Sequence, residues 1–187
     1  AHCDSRPREA EATAAERALR YAESYRVPAN ICHPSAKETM GLVAAYQQKG
    51  NPVTCEAAPH HWLLTRKDMV DSFPKMNPPL REQDDAEALR QGMAEGVVGM
   101  MATDHAPHTS IEKLVEYDQA AFGMIGLETA LALILKLVAE GVLSLTAAVE
   151  RLSPGPARVF GLPGGAIAEG AVADVTCIDP EKEWSVD

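Results

Sequence analysis

An α/β fold of parallel βα units is the class this sequence predicts: short apolar runs alternate with helical patterns, and most of the runs end in a histidine-bearing tip. Arg8 to Tyr25 reads REAEATAAERALRYAESY, rich in Ala and Glu, with Ala14, Ala18, Tyr21, Ala22 and Tyr25 at helical spacing. That helix ends before Pro28, and Ala29-Asn30-Ile31-Cys32 is a short strand leading into His33-Pro34-Ser35. Ser35 is suited to cap the next helix, where Met40, Val43, Ala44 and Gln47 keep a 3.6-residue period until Gly50. Val53-Thr54-Cys55-Glu56 is the second strand. A helical turn opens at Thr65 with Asp68 three residues on, and a proline-rich loop covers residues 74–81. Helix returns over residues 84–95, with Gly96 past its end, and residues 97–102 form the third strand, tipped by Thr103-Asp104-His105.

Two further helices follow over residues 126–140 and 144–152, the second capped by Ser144; the Leu- and Ala-rich stretch 127–138 is expected to be core. In the tail, Gly164-Gly165-Ala166-Ile167 and Ala173-Asp174-Val175-Thr176-Cys177-Ile178 alternate around Gly170 like paired short strands. Parallel βα repeats with polar strand tips describe part of a (β/α)8 barrel, whose sites lie on that face; a whole one takes about 250 residues. The expected division is therefore residues 1–160 as the C-terminal half of a barrel and 161–187 as part of a small β-sandwich appendage.

Composition narrows the chemistry. The 27 acidic and 17 basic side chains give a net charge of -10, which lacks the positive footprint of a nucleic-acid binder and favours a small-molecule substrate. The longest apolar stretch falls short of the roughly 20 residues needed to span a bilayer, and no signal-peptide pattern opens the chain. Cys3, Cys32, Cys55 and Cys177 are dispersed without C-x-x-C pairing and read as reduced thiols of a cytoplasmic protein.

All six histidines fall in four segments at apparent strand ends: His2-Cys3-Asp4, His33-Pro34-Ser35, Pro59-His60-His61 and Thr103-Asp104-His105-Ala106-Pro107-His108. Imidazole and carboxylate are the donors a catalytic zinc prefers. A bound divalent cation lowers the pKa of water to about 7, so the implied chemistry is hydrolysis.

Those segments, together with Val53-Thr54-Cys55-Glu56, Asn77-Pro78-Pro79-Leu80-Arg81, Glu112-Lys113, Phe122-Gly123 and Gly126-Leu127-Glu128-Thr129, resemble the ordered motifs of type I dihydroorotases of the amidohydrolase superfamily. The resemblance covers nearly the whole chain, and the Asn-Pro-Pro-Leu-Arg and Thr-Asp-His-Ala-Pro-His strings are specific. It implies a metal-dependent hydrolase barrel in which His2, His33 and Asp104 are metal ligands and Asp104 is also the catalytic proton carrier. It also implies substrate contacts from Asn77, His108 and the backbone at Phe122-Gly123. The implied reaction is the reversible cyclisation of N-carbamoyl-L-aspartate to L-dihydroorotate in pyrimidine biosynthesis. The implied cofactor is zinc, as one or two ions, with other divalent metals able to substitute. The implied assembly is a homodimer, with aspartate carbamoyltransferase as a candidate partner. His60 and His61 are expected to be structural or to support the ligands, and Arg81 to anchor its loop.

Departures from the pattern matter as well. The family's His-x-His pair, its substrate arginine and a further metal carboxylate belong upstream of this sequence, so these 187 residues alone are expected to be inactive. Asp4 runs into Ser5 where the family has a longer stretch, and residues 72–74 read as shortened. Two other readings stand beside the first. Ser5-Arg6-Pro7 has an allantoinase flavour, which points to a hydantoinase or allantoinase acting on a related cyclic ureide. The other is a non-catalytic dihydroorotase-like subunit of aspartate carbamoyltransferase.

Overall fold

The computed structural model describes residues 6–186, and its first helix, α1 (Arg8–Tyr25), has the bounds its Ala- and Glu-rich run predicts. Arg26, at φ 53°, ends it in the left-handed conformation. Strand β1 (Ala29–Ile31), helix α2 (Lys37–Gln48), strand β2 (Val53–Ala57), helices α3 (Pro59–Leu63) and α4 (Gln83–Glu95), and strand β3 (Met100–Met101) follow. The strands lie side by side in the order β1-β2-β3, both pairs parallel, with Asn30 opposite Thr54 and Glu56 opposite Met100. Parallel neighbours need crossovers, which α2 and the α3–α4 segment supply.

Beyond β3 come α5 (Ser110–Lys113), α6 (Ala130–Ala139), α7 (Leu145–Leu152) and α8 (Pro154–Phe160). The core joins the sheet to the helices through Leu19, Val43, Cys55, Ala57, Leu89, Met93, Val98, Ile134 and Leu137, all buried. Among the described residues no helix is long and apolar enough to cross a membrane. Cys32, Cys55 and Cys177 are free thiols, and Cys3 lies outside the described residues.

Several local expectations are corrected. Ser35 does not cap α2; its hydroxyl and amide both donate to the Glu11 carboxylate, at 2.5 and 2.9 Å. That carboxylate, reaching over from α1, also accepts from the Ala36 amide and the Thr39 hydroxyl, while Asp85 of α4 accepts from the Lys37 amide. Two neighbouring helices thus cap α2, because the unpaired amides and positive dipole end of a helix favour carboxylates. Burial works to raise the pKa of Glu11, but the hydrogen bonds from Ser35, Ala36 and Thr39 outweigh it and hold the carboxyl below its usual range.

The third strand pairs over two residues rather than residues 97–102. The Val98 amide turns back to the Gly92 carbonyl, and the carbonyls of Val97 and Val98 accept from the Gln47 and Arg151 side chains. Helix α6 begins late because the Gly126 and Leu127 amides donate to His105 Nδ1, leaving Leu127 exposed rather than in the core. In the tail, residues 161–186 form no strand, against the paired strands their alternation suggests. A pair of short strands is marginal unless a further strand or helix covers its apolar face, and Ile167, Val172, Val175 and Ile178 are all exposed here.

Candidate active site

The candidate ligands at the strand ends share an unusual backbone. Apart from the helix-ending Arg26, the non-glycine residues with positive φ among those described are His33 at 50° and Asp104 at 49°. A left-handed residue with a side chain costs about 1 kcal/mol or more, and such strain concentrates where function needs it. Here it turns one imidazole, just past β1, and one carboxylate, just past β3, towards each other. His33 Nε2 lies 3.7 Å from Asp104 Oδ1, and His60 Nε2, from α3 past β2, lies 3.8 Å from Asp104 Oδ2. The three consecutive strand ends therefore each contribute one group.

Behind His33 a polar relay reaches towards the imidazole, whose buried Nδ1 has no hydrogen-bond partner among the described residues. Thr54 Oγ1 donates to Asn30 Oδ1 at 2.8 Å, Asn30 Nδ2 donates to Glu56 Oε2 at 3.0 Å, and Glu56 Oε1 stands 3.5 Å from His33 Nδ1. The parallel register that sets Asn30 opposite Thr54 makes this possible. Sequence reasoning passed over Asn30 and gave Glu56 no role. The two-residue alternation, which puts Thr54 and Glu56 on one face of β2, is the signal that could have found them.

The donors agree with a divalent cation in kind. His60 Nε2 is buried with no hydrogen-bond partner, and 3.7–3.8 Å is too long for hydrogen bonds to Asp104. Burial, and then the neighbouring His61 and His33, push His60 down to about 3, so its imidazole is neutral at working pH. Neutral imidazole beside carboxylate is the donor chemistry of zinc sites. In number the set is short: no group of three or more His, Cys, Asp or Glu among the described residues closes round one point. His2, the remaining expected ligand, lies outside the described residues.

His61 plays a different part. Its Nε2 shares a 2.9 Å hydrogen bond with the Pro78 carbonyl, fastening the loop that carries Asn77 to α3. Arg81 anchors the same loop through Ser35 Oγ, the Arg6 carbonyl and the Glu11 carboxylate.

The four expected substrate contacts gather on loops. His108 Nε2 bonds the Phe122 carbonyl at 2.9 Å, and Arg6 donates to Asn77 Oδ1 at 2.6 Å while its guanidinium lies 5.7 Å from the Phe122 ring centre. Gly123 has φ 133°, and a Cβ there would meet Ala106 Cβ at 2.5 Å, so only glycine fits. Both backbone polar groups of Gly123 are engaged within the protein, its amide with the Lys75 carbonyl and its carbonyl with Lys113 Nζ.

Comparison with known proteins places the chain in a family. The amidohydrolase family profile matches residues 14–186. A dihydroorotase of Syntrophotalea carbinolica is 47% identical over 181 residues, covering 95% of this chain and 42% of that protein. A dihydroorotase of Trichlorobacter lovleyi is 45% identical over 183 residues, covering 96% and 43%. The chain spans about two fifths of the length of these curated relatives. Among solved structures, the dihydropyrimidinase from Brevibacillus agri matches with a TM-score of 0.85 at 26% identity, over 90% of this chain and 39% of that one. The L-hydantoinase from Arthrobacter aurescens matches with a TM-score of 0.84 at 28% identity, with the same coverage. The parallel strands and crossover helices are thus part of a (β/α)8 barrel of the hydrolase type, and the chain belongs to the amidohydrolase family.

Proposed function

We propose that this chain carries the proton-handling and substrate-orienting side of a dihydroorotase site, which interconverts N-carbamoyl-L-aspartate and L-dihydroorotate in pyrimidine biosynthesis. The observation that carries the reading is Asp104, held at φ 49° between the imidazole nitrogens of His33 and His60 at 3.7 and 3.8 Å. Identities of 45–47% to dihydroorotases favour this cyclic amide over related ones. His2, His33 and Asp104 would hold a divalent cation, zinc in the first instance, which when bound supplies Lewis acidity and acidifies water.

Asp104 takes a proton from the water that attacks the ring carbonyl. As the C–N bond breaks, it returns that proton to the departing amide nitrogen. In the biosynthetic direction the roles reverse, and one carboxylate serves both because acid and base exchange on reversal. Glu56, itself held by the Asn30–Thr54 pair, puts its carboxylate beside His33, and buried, neutral His60 keeps water from screening one side of Asp104. Asn77 and His108 orient the planar ring amide and its carboxylate by hydrogen bonds. In this reading the working unit is a cytoplasmic homodimer, and aspartate carbamoyltransferase is the partner to seek by co-sedimentation.

The test is turnover by the protein as its gene encodes it, supplied with zinc and offered dihydroorotate and hydantoin separately. Preference for dihydroorotate is expected. Turnover of hydantoin alone would instead establish the hydantoinase reading, which the likeness to the Arthrobacter aurescens enzyme favours. No turnover of either would point to the non-catalytic subunit.

A further inference from the structure

Lys113 is 3% exposed and, among the described residues, has no carboxylate within ion-pair distance. Burying a cation costs several kcal/mol unless hydrogen bonds replace its water. The replacement here is complete: the three ammonium hydrogens meet three carbonyls, Lys75 O at 3.1 Å, Ala121 O at 3.0 Å and Gly123 O at 2.8 Å. Burial, and then the charge of Lys75, push the Lys113 pKa down from its ordinary value, against a smaller upward pull from the Asp71 carboxylate.

The carbonyls belong to the two loops that carry the expected substrate contacts. Lys75 lies two residues before Asn77, and Ala121 and Gly123 flank Phe122. Lys113 itself ends α5, whose cap, Thr109, follows His108 directly. Further bonds close the same knot: the Gly123 amide to Lys75 O at 3.0 Å, the Ala121 amide to Glu112 O at 3.1 Å, Lys75 Nζ to Asp118 O at 2.9 Å, and the Ser72 hydroxyl to the Lys113 carbonyl. Lys75 Nζ also lies 4.3 Å from the Phe122 ring centre. A methionine would fill the same volume and offer none of the three donors.

We propose that Lys113 is a positioning residue of the substrate pocket, whose buried ammonium locks the Lys75–Asn77 loop and the Phe122–Gly123 loop in one arrangement beside His108. The proposal rests on the substrate-side reading of Asn77, His108 and Phe122–Gly123. Lys113 does not touch the reacting atoms; it acts through the loops it holds.

The test compares Lys113→Met with wild type in the protein as encoded, by hydrogen exchange and by steady-state kinetics. At the Ala121 and Gly123 amides exchange should quicken at least roughly tenfold, while the Ala102 amide, bonded to Ala57 O at 3.2 Å between strands, keeps its protection. KM for N-carbamoyl-L-aspartate should rise roughly tenfold or more while kcat changes by less than about threefold, since misplaced contacts weaken binding before chemistry. Adding Asn77→Ala to Lys113→Met should raise KM less than Asn77→Ala does alone, because Lys113 acts partly through that residue. Unchanged protection at both loop amides overturns the proposal, whatever the activity. If loop protection is lost and Asn77→Ala alone leaves KM unchanged, the lock stands and the substrate-side reading fails. Should Lys113→Met not fold, Lys113→Gln decides: its shorter, uncharged amide cannot supply all three donors to Lys75 O, Ala121 O and Gly123 O. Faster exchange at Ala121 and Gly123 then supports the lock, and unchanged exchange refutes it.

Discussion

The strand-end side and the loop side of the candidate site achieve precision by opposite means. His33 and Asp104 stand just past strands, on backbone strained to φ near 50°, with a polar relay running from Thr54 to Glu56 behind the imidazole. Asn77, His108 and Phe122–Gly123 stand on loops with little regular structure, fastened by a buried ammonium, the Arg81 guanidinium and the His61 ring. The difference teaches where each side is vulnerable. A strand-end group is over-determined by the sheet, so removing it deletes chemistry and spares geometry. A loop group depends on its fastenings, so a change several residues away moves it.

The largest effect that would separate the two sides is His33→Ala. Bound metal in the protein as encoded should fall at least roughly tenfold and turnover roughly a hundredfold or more, with the melting temperature nearly unchanged. Full metal content, measured by elemental analysis, would break the assignment of the strand-end side. Asn77→Ala should do the converse, leaving metal content intact and raising KM roughly tenfold, as for a lost hydrogen bond to an ionised substrate. A fall in bound metal instead would show that the sides are not separable.

A smaller effect concerns His61, which fastens the loop side. Its imidazole, pushed down to about 4 mainly by burial, faces Glu11, which raises its pKa, and His33 and Arg81, which lower it; the Pro78 carbonyl on its N–H also raises it. The unfolded chain binds this proton near pH 6.5 and the folded chain near 4. This contribution to stability is therefore complete above about pH 6.5 and erodes as pH falls towards 4, by on the order of 3 kcal/mol in total. His60 adds to the loss in the same sense. Urea midpoints followed from pH 7 to 4 should decline, and less steeply in His61→Phe; an equal slope in the variant would contradict the role of His61.

How much of this was legible beforehand follows the range of the interactions. Helix α1 announces itself through periodicity, α2 and α4 through periodicity and glycine stops, and β1 and β2 through apolar runs. Helix α3 does not, since Pro59–Leu63 is only five residues long and shows no period. Helix α8 begins Pro-Gly-Pro, which reads as a breaker, yet proline is tolerated in the first turn, and Gly155 is needed where a Cβ would meet the Glu150 carbonyl at 2.7 Å. Asp104 and His33 were visible because their chemistry sits in local strings. The Glu56 and Asn30 side chains behind His33, and the capping of α2 by Glu11 and Asp85, join residues 23 to 48 positions apart and leave no local pattern. Lys113 was visible only as half of a two-residue motif, because a buried cation satisfied by three carbonyls has the same sequence as an exposed one.

Asp104 is where both sides meet in the proposed reading: it stands 3.7–3.8 Å from the strand-end imidazoles and is assigned to act on a substrate that the loops would orient. The direct measurement is turnover of dihydroorotate by Asp104→Asn in the protein as encoded, alongside its melting temperature. The account predicts an unchanged fold and a fall in kcat of roughly a hundredfold to ten-thousandfold, the range for a lost proton carrier. Undiminished turnover in the folded variant would contradict it.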